Sequence, residues 1–266
     1  MKIAVIPNKA KDGAECLAKT ILCKFPENCF LIEDYDCEEV FDAVLVLGGD
    51  GTMLRAMKAF FGVPVLGINF GTVGYMAVVE RDEAIDAVKR LIAGKYMVEE
   101  RMMLSVKVVR DGKVVSETTA LNDGVISRHE RILAISESFN EKLVYSFLGD
   151  GIIVATPTGS TAYSLSAGGP VAPPEMQMMI TTPVCPHSIH IRPVIASGDT
   201  VIKIKLSDCE GNKGMLNVDG QNITPLKEGD EVVFARSEKN AKLILFEEKN
   251  FYDILRYKLS GEKGER

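Results

Sequence analysis

The chain has 266 residues, 46% of them apolar, enough to bury the core of one large domain or two smaller ones. Its formal net charge of −6 gives no general attraction to nucleic acid or anionic lipid, so neither is expected as a partner. No stretch approaches the ~18 apolar residues of a membrane span and the opening "MKIAVIPN" is too short for a secretion signal, so a cytoplasmic protein with reduced thiols is expected.

Lys2 to Ile6 reads as a buried strand, Gly13 to Lys24 as an amphipathic helix, Val44 to Leu47 as a second buried strand and Thr52 to Phe61 as a second helix. Val63 to Ile68 is a third apolar run, and Arg81 to Ala93 a helix whose end Gly94 marks. Strands alternating with helices predict a parallel sheet of βαβ units. Cys16, Cys23, Cys29 and Cys37 follow no metal-ligand spacing, and the heptad separation of Cys16 and Cys23 on a helix predicts buried thiols rather than disulfides. A change of texture places a domain boundary near residues 95 to 103.

Beyond it, "MLSVKVVRDGKVVSETTALNDGVISR" alternates apolar and polar residues, and Asp111-Gly112 is the pair that a type I′ hairpin turn favours. Similar runs recur at Ile132 to Ser136, Leu143 to Phe147, Gly151 to Ala155, Thr200 to Leu206 and Glu231 to Ala235, so the second half is mostly β. One helix is expected to start near Ser160 or Thr161, capped by hydroxyls. The tail "NFYDILRYKLSGEKGER" starts helical and turns charged, so its end is expected to fray.

Candidate chemistry sits in the glycine-marked turns. "LGGDGT" lies where a strand hands over to a helix, the edge of an open parallel sheet where ligands bind. Its glycines permit positive φ and close approach of backbone N–H groups to an anion. The spacing is neither a P-loop nor the dinucleotide fingerprint, and Asp50 as a simple helix cap is an equal alternative. Arg55 lies one turn further on. "GINFGTVGYM" is a second such loop, whose Tyr75 either stacks on a ring or packs in the core. In "ALND" Asn122 offers an amide suited to a purine edge and Asp123 a carboxylate suited to ribose hydroxyls, although an ordinary turn also explains them. "GDGIIVATPTGSTAYSLSAGGP" packs hydroxyls at a helix start, for capping or for a polar ligand; it is not the G-x-S-x-G elbow, so a serine hydrolase is not expected. Cys185, His187 and His190 read as a polar loop rather than a zinc site. "NVDGQ" reads as a hairpin turn at Asp219. With this net charge, any phosphate ligand must be met by local amides, a few Lys or Arg and a divalent cation.

Four of these segments in this order, "GGDGT", "LND", the long "GDGIIVATPTGSTAYSLSAGGP" block and "VDGQ", resemble the NAD kinase family. GGDGT alone also occurs in lipid kinases; the long block is far more specific. The resemblance implies an α/β N-terminal Rossmann-like domain plus a mostly-β C-terminal domain of packed sheets, at residues 1–98 and 99–246, with 247–266 returning to the first. It implies transfer of a phosphoryl group from ATP, with Mg²⁺, to the 2′-hydroxyl of the adenosine ribose of NAD, Asp50 binding the ribose and accepting the proton. Gly48, Gly49, Gly51, Thr52 and Arg55 would meet phosphates. Tyr75, Asn122, Asp123, Thr158, Thr161, Ala162, Tyr163, Ser166, Asp219 and Gln221 would lie around the dinucleotide together with Asp50 and Gly51. Asp150 would reach a neighbouring subunit of a homodimer or homotetramer. Asp123 departs from the Glu common in the family, which shortens its reach to the ribose. A kinase of lipid or sugar using the same glycine loop, or a dinucleotide-binding regulator without turnover, are the alternatives.

Overall fold

Apolar runs at the start of the chain become inner strands of a parallel sheet in the computed structural model, which describes all residues except 33–34, 36–38, 72–73, 78, 208–213, 247–250 and 261–266. In chain order, β1 (Ile3–Pro7), α1 (Ala14–Lys24), β2 (Cys29–Leu31), β3 (Ala43–Gly48), α2 (Asp50–Ala59), β4 (Val65–Asn69), α3 (Ala84–Ile92) and β5 (Met97–Arg101) come first. Strands β6 (Leu104–Arg110), β7 (Lys113–Ala120), β8 (Asp123–Arg128), β9 (Leu133–Phe139), β10 (Lys142–Gly149) and β11 (Gly151–Ala155) follow. Then come a 3₁₀ turn (Thr158–Thr161), α4 (Tyr163–Ser166), β12 (Met178–Val184), β13 (Val194–Ser197), β14 (Ile202–Ser207), β15 (Gly214–Val218), β16 (Gln221–Leu226) and β17 (Glu231–Arg236). The chain ends with β18 (Ala241–Leu245) and α5 (Phe251–Ser260).

The chain divides into two units, Met1–Glu100 with Ala241–Arg266, and Arg101–Asn240. The first holds a sheet of order β2-β1-β3-β4-β18-β5, with β1, β2, β3, β4 and β18 mutually parallel through their pairings. β3 is buried along its whole length, as a strand covered on both faces must be. The helices bury regular stripes, Ala84, Ala87, Val88 and Leu91 on α3 and Ala14, Ala18 and Ile21 on α1. This spacing on α1 overturns the expectation of buried thiols: Cys16 and Cys23 sit opposite the apolar stripe and are exposed, as is Cys185, whereas Cys29 is buried. All four are free, and burial pushes the Cys29 thiol up to about 11. Cys37 lies outside the described residues.

The second unit is two six-stranded sheets, β10-β9-β14-β17-β6-β7 and β13-β12-β11-β8-β15-β16, whose pairings are antiparallel. Alternate residues such as Leu104, Val106, Val108, Ile202, Ile204 and Phe234 of one sheet and Ile126, Ile152, Val154, Leu216 of the other share one core. The β6–β7 turn has positive φ at Asp111 and Gly112, 50° and 74°, as type I′ requires. The α/β class of the first unit and the packed-sheet class of the second are those expected from the sequence. Three local readings change: α2 starts at Asp50 rather than Thr52, the helix from Arg81 opens with a 3₁₀ turn (Arg81–Glu83), and α4 is a single turn of four residues.

One core position of the second unit breaks the pattern. Glu137 on β9 is fully buried, and neither carboxylate oxygen has a hydrogen-bond partner among the described residues. Burial pushes its carboxyl up to about 7; the Thr181 hydroxyl opposes this to a smaller extent, short of a well-formed bond. The folded state therefore binds a proton that the unfolded chain releases above its ordinary value, and this stabilisation is lost as pH rises towards 7. The slope for one such group is about 1.4 kcal/mol per pH unit in that window. In urea melts between pH 5 and pH 8, Glu137→Gln is expected to lose less stability with rising pH than wild type; identical slopes would show that Glu137 is ionised throughout.

Candidate functional site

In the first unit the loops after β3 and β4 emerge side by side, because these strands are paired up to Gly48 and Asn69. Gly49 is the extended N-cap of α2 and Asp50 occupies the first helical turn, yet no side chain caps the helix. The Asp50 carboxylate turns instead to the loop after β4. The N–H of Tyr75 donates to Oδ2 at 2.8 Å, and those of Met76 and Ala77 donate to Oδ1 at 3.0 and 3.2 Å. The capping alternative for Asp50 is thereby overturned: three consecutive amides outcompete the helix's own N–H groups. Their approach depends on Gly74, where a Cβ would come within 2.7 Å of the Asp50 Cγ.

Gly48, Gly49 and Gly51 do not use positive φ, contrary to expectation. A Cβ on Gly48 would sit 2.7 Å from Thr52 Oγ1, so space demands this glycine, while Gly49 and Gly51 face nothing within 4 Å. Thr52 is buried and its hydroxyl accepts from Asn8 Nδ2 at 2.9 Å, tying the loop after β1 to α2. Arg55 is exposed further along α2. Tyr75 neither stands free nor enters the core: its half-buried ring lies 6.0 Å from that of Phe251, with Lys258 Nζ 4.4 Å from its centroid, both from α5. Burial, and then the Asp50 charge, raise its phenol above the ordinary value.

The second unit repeats the carboxylate device. Asp219 and Gly220, at φ 50° and 76°, make the β15–β16 turn expected from "NVDGQ". The Asp219 carboxylate accepts the N–H of Leu121 at 3.0 Å, of Asn122 at 2.8 Å and of Asp123 at 3.2 Å. Asn122 is further held by its carbonyl, which accepts from the Thr156 N–H at 2.9 Å, while its half-buried amide side chain has no partner among the described residues. Asp123 is 5% exposed, and burial, helped by the Asp219 charge, pushes its carboxyl up to about 7.

Hydroxyls of the long polar block divide by burial. Thr156 donates to the Leu121 carbonyl at 2.5 Å, Ser160 exchanges hydrogen bonds with the Ala172 backbone, and Ser164 pairs with Thr182 at 2.9 Å; all three are fully buried. None caps α4, where hydroxyl capping was expected. Thr161 and Ala162 are half-buried, and Tyr163 and Ser166 are exposed. Thr158 is buried and accepts from Arg101 Nη1 at 3.4 Å. Arg101 was not legible as a site neighbour, because its charge gives no sign of being buried.

Gln221 is exposed opposite Val218 across the turn. Asp150 forms an ion pair with Arg128 Nε at 2.6 Å within its own chain. Cys185, His187 and His190 are all exposed, and no three His, Cys, Asp or Glu among the described residues are placed to hold a metal ion.

A parallel sheet whose order reverses direction between β1 and β3, with an acidic glycine loop at that edge, joined to a β-sandwich carrying a hydroxyl-rich turn, defines a nucleotide-handling class of protein. The chain belongs to the ATP-NAD kinase family: the N-terminal domain model of ATP-NAD kinase matches residues 11–96 and the C-terminal domain model residues 121–246. It is 38% identical to an NAD kinase of Acetivibrio thermocellus across 100% of this chain and 99% of that one. It is 45% identical to an NAD kinase of Symbiobacterium thermophilum across 83% of this chain and 79% of that one. Among solved structures, yeast NADH kinase complexed with NADH superposes with a TM-score of 0.88 at 21% identity, over 100% of this chain and 89% of that one, which shows the shared fold.

Gly159 is the tightest point of the second-unit turn, since a Cβ there would lie 2.8 Å from the Asn122 Cα and closer still to its carbonyl. Backbone cannot yield as a side chain does. Gly159→Ala is expected to cost about 1–3 kcal/mol in a urea melt, and a variant as stable as wild type would show that the 121–123 segment moves freely.

Proposed function

We propose that this chain transfers the terminal phosphoryl group of ATP to the 2′-hydroxyl of the adenosine ribose of NAD, giving NADP. Family membership supports the reaction, and the state of the Asp50 carboxylate carries the residue assignment. A carboxylate offers about four acceptor positions. Oδ1 already takes two N–H groups and Oδ2 one, so the free position is on Oδ2. In our reading the ribose hydroxyl donates there, its oxygen attacks the terminal phosphorus, the proton passes to Oδ2, and ADP leaves with the bridging oxygen. Such transfer asks mainly for alignment and charge neutralisation. The fixed carboxylate gives alignment; Gly48, Gly49, Gly51, Thr52 and Arg55 would line the phosphates.

Asn122, Thr161, Tyr163 and Ser166 have polar groups to offer the dinucleotide, with Ala162 and Thr158 beside them. The Asp219 carboxylate is taken up by the N–H groups of residues 121 to 123 and Asp123 is buried, so we assign Asp219 to shaping the 121–123 segment. Mg²⁺ keeps several waters and needs few protein donors. We therefore place it on the phosphates of ATP, where it would offset phosphate charge. A homo-oligomer, with Asp150 exchanging Arg128 for a neighbouring subunit's nucleotide, is part of the same proposal, and a cytoplasmic location accords with it. Among the described residues no helix is long and apolar enough to cross a membrane.

The test is formation of NADP⁺ from NAD⁺, ATP and Mg²⁺, read by an NADP-specific dehydrogenase. Turnover of a lipid or sugar with none of NAD⁺ would overturn the assignment. Asp50→Asn is expected to keep NAD⁺ binding while losing on the order of 10²-fold or more in kcat. Asp50→Glu should be nearly as damaging, since about 1 Å of misplacement costs ~10²-fold. Gly74→Ala, which pushes the same carboxylate away without changing its chemistry, should resemble Asp50→Glu; wild-type rates in all three would remove Asp50 from the reaction.

A further inference from the structure

The sheet order of the first unit puts β3 between β1 and β4. A side chain that starts after β1 and ends beside the loop after β4 therefore crosses the carboxyl end of β3, where the glycine loop begins. Lys11 does this. It follows β1 in the segment before α1, and its Nζ lies 3.5 Å from where a Cβ on Gly71, just after β4, would be. The two strands are about 10 Å apart, a distance that a lysine side chain with its loop can span.

Lys11 is held at its base. Asn8 fixes the segment: its N–H donates to Leu47 O at 2.9 Å, its carbonyl accepts from the Lys11 N–H at 2.9 Å, and its side chain takes the Ala10 N–H at 3.1 Å. The Asn8 amide then reaches Thr52 at 2.9 Å. On the far side, Gly71 is anchored by its N–H to Asn69 Oδ1 at 3.0 Å, and the Phe70 N–H donates to Gly48 O at 3.1 Å. The three loops are thus cross-linked at one edge, with the lysine over the middle one. Lys11 is exposed and forms no ion pair among the described residues. The edge it crosses adjoins the switch point between β1 and β3, where ligands of such sheets bind.

We propose that Lys11 binds the phosphate chain of the nucleoside triphosphate donor, its ammonium closing over the GGDGT loop. This rests on the kinase reading above. A chain of net charge −6 with Asp50 in the same loop repels a polyanion unless a local cation offsets the repulsion. The glycine loop supplies amides but no positive charge, and Arg55 lies further along α2. Lys11 is a point charge on a flexible stem, suited to phosphate as P-loop lysines are.

The experiment compares wild type, Lys11→Ala, Lys11→Arg and Lys9→Ala, the last a neighbouring exposed lysine in the same segment. Two readouts are used: KM for ATP and for NAD⁺, and equilibrium binding of ATP with Mg²⁺ by calorimetry, which needs no turnover. Lys11→Ala is expected to weaken ATP binding and raise the KM for ATP by about tenfold or more, as loss of a charge-assisted bond does. Its KM for NAD⁺ should change little; Lys11→Arg should stay within about threefold, and Lys9→Ala should match wild type. Unchanged ATP binding in Lys11→Ala, or an equal loss in Lys9→Ala, overturns the proposal. If Lys11→Ala folds poorly, Lys11→Arg with wild-type ATP affinity at low salt and steep loss at high salt sustains it, and salt-insensitive binding overturns it. ATP binding that depends on Lys11 in a wild type inactive on NAD⁺ would leave Lys11 in place and sink the acceptor assignment instead.

Discussion

The first unit is organised around one carboxylate and three consecutive backbone N–H groups. Asp50 leaves the helix it belongs to uncapped and takes the amides of residues 75 to 77, so the loop after β3 and the loop after β4 cannot move independently. A carboxylate bound in this way has both oxygens oriented before any ligand arrives, which is the condition for electrostatic work without reorganisation. Pairing of β3 with β4 brings the loops to the same place, and the missing side chain at Gly74 lets them touch.

The second unit uses the same chemistry for a different end. Asp219 also collects three consecutive N–H groups, but from the segment 121–123, and its own backbone N–H returns to the Asp123 carbonyl at 3.0 Å. A turn residue thus fixes the path of a strand start some hundred positions earlier. The buried acids of this unit show how far surroundings decide a carboxyl's state. Burial would raise Asp230, but a two-point pairing with Arg110 at 2.7 and 2.6 Å and the Lys227 N–H hold it below the ordinary value. Asp123 and Glu137, without a cation of this kind, are both pushed up to about 7.

Much of the architecture was legible because it depends on short-range pattern. Apolar runs gave the buried strands, Gly94 marked the end of α3, and Asp111-Gly112 and Asp219-Gly220 gave two turns, since only certain residues accept positive φ. The site was legible in a narrower sense. The glycine loops and the hydroxyl block were visible as concentrations of unusual residues, but their division of labour was not. Thr156, Ser160 and Ser164 look the same in the sequence as Thr161 and Ser166, yet the first three are locked inside and the others are not.

What the sequence settled by itself was therefore class, periodicity and turn chemistry, all set by interactions between residues a few positions apart. Tertiary structure alone decided where Asp50 turns, which thiols of α1 face water, that Tyr75 meets Phe251 and Lys258, and that Lys11 crosses β3. Each of these depends on which strand lies beside which, and strand order is fixed by the packing of the whole sheet rather than by any local stretch of chain.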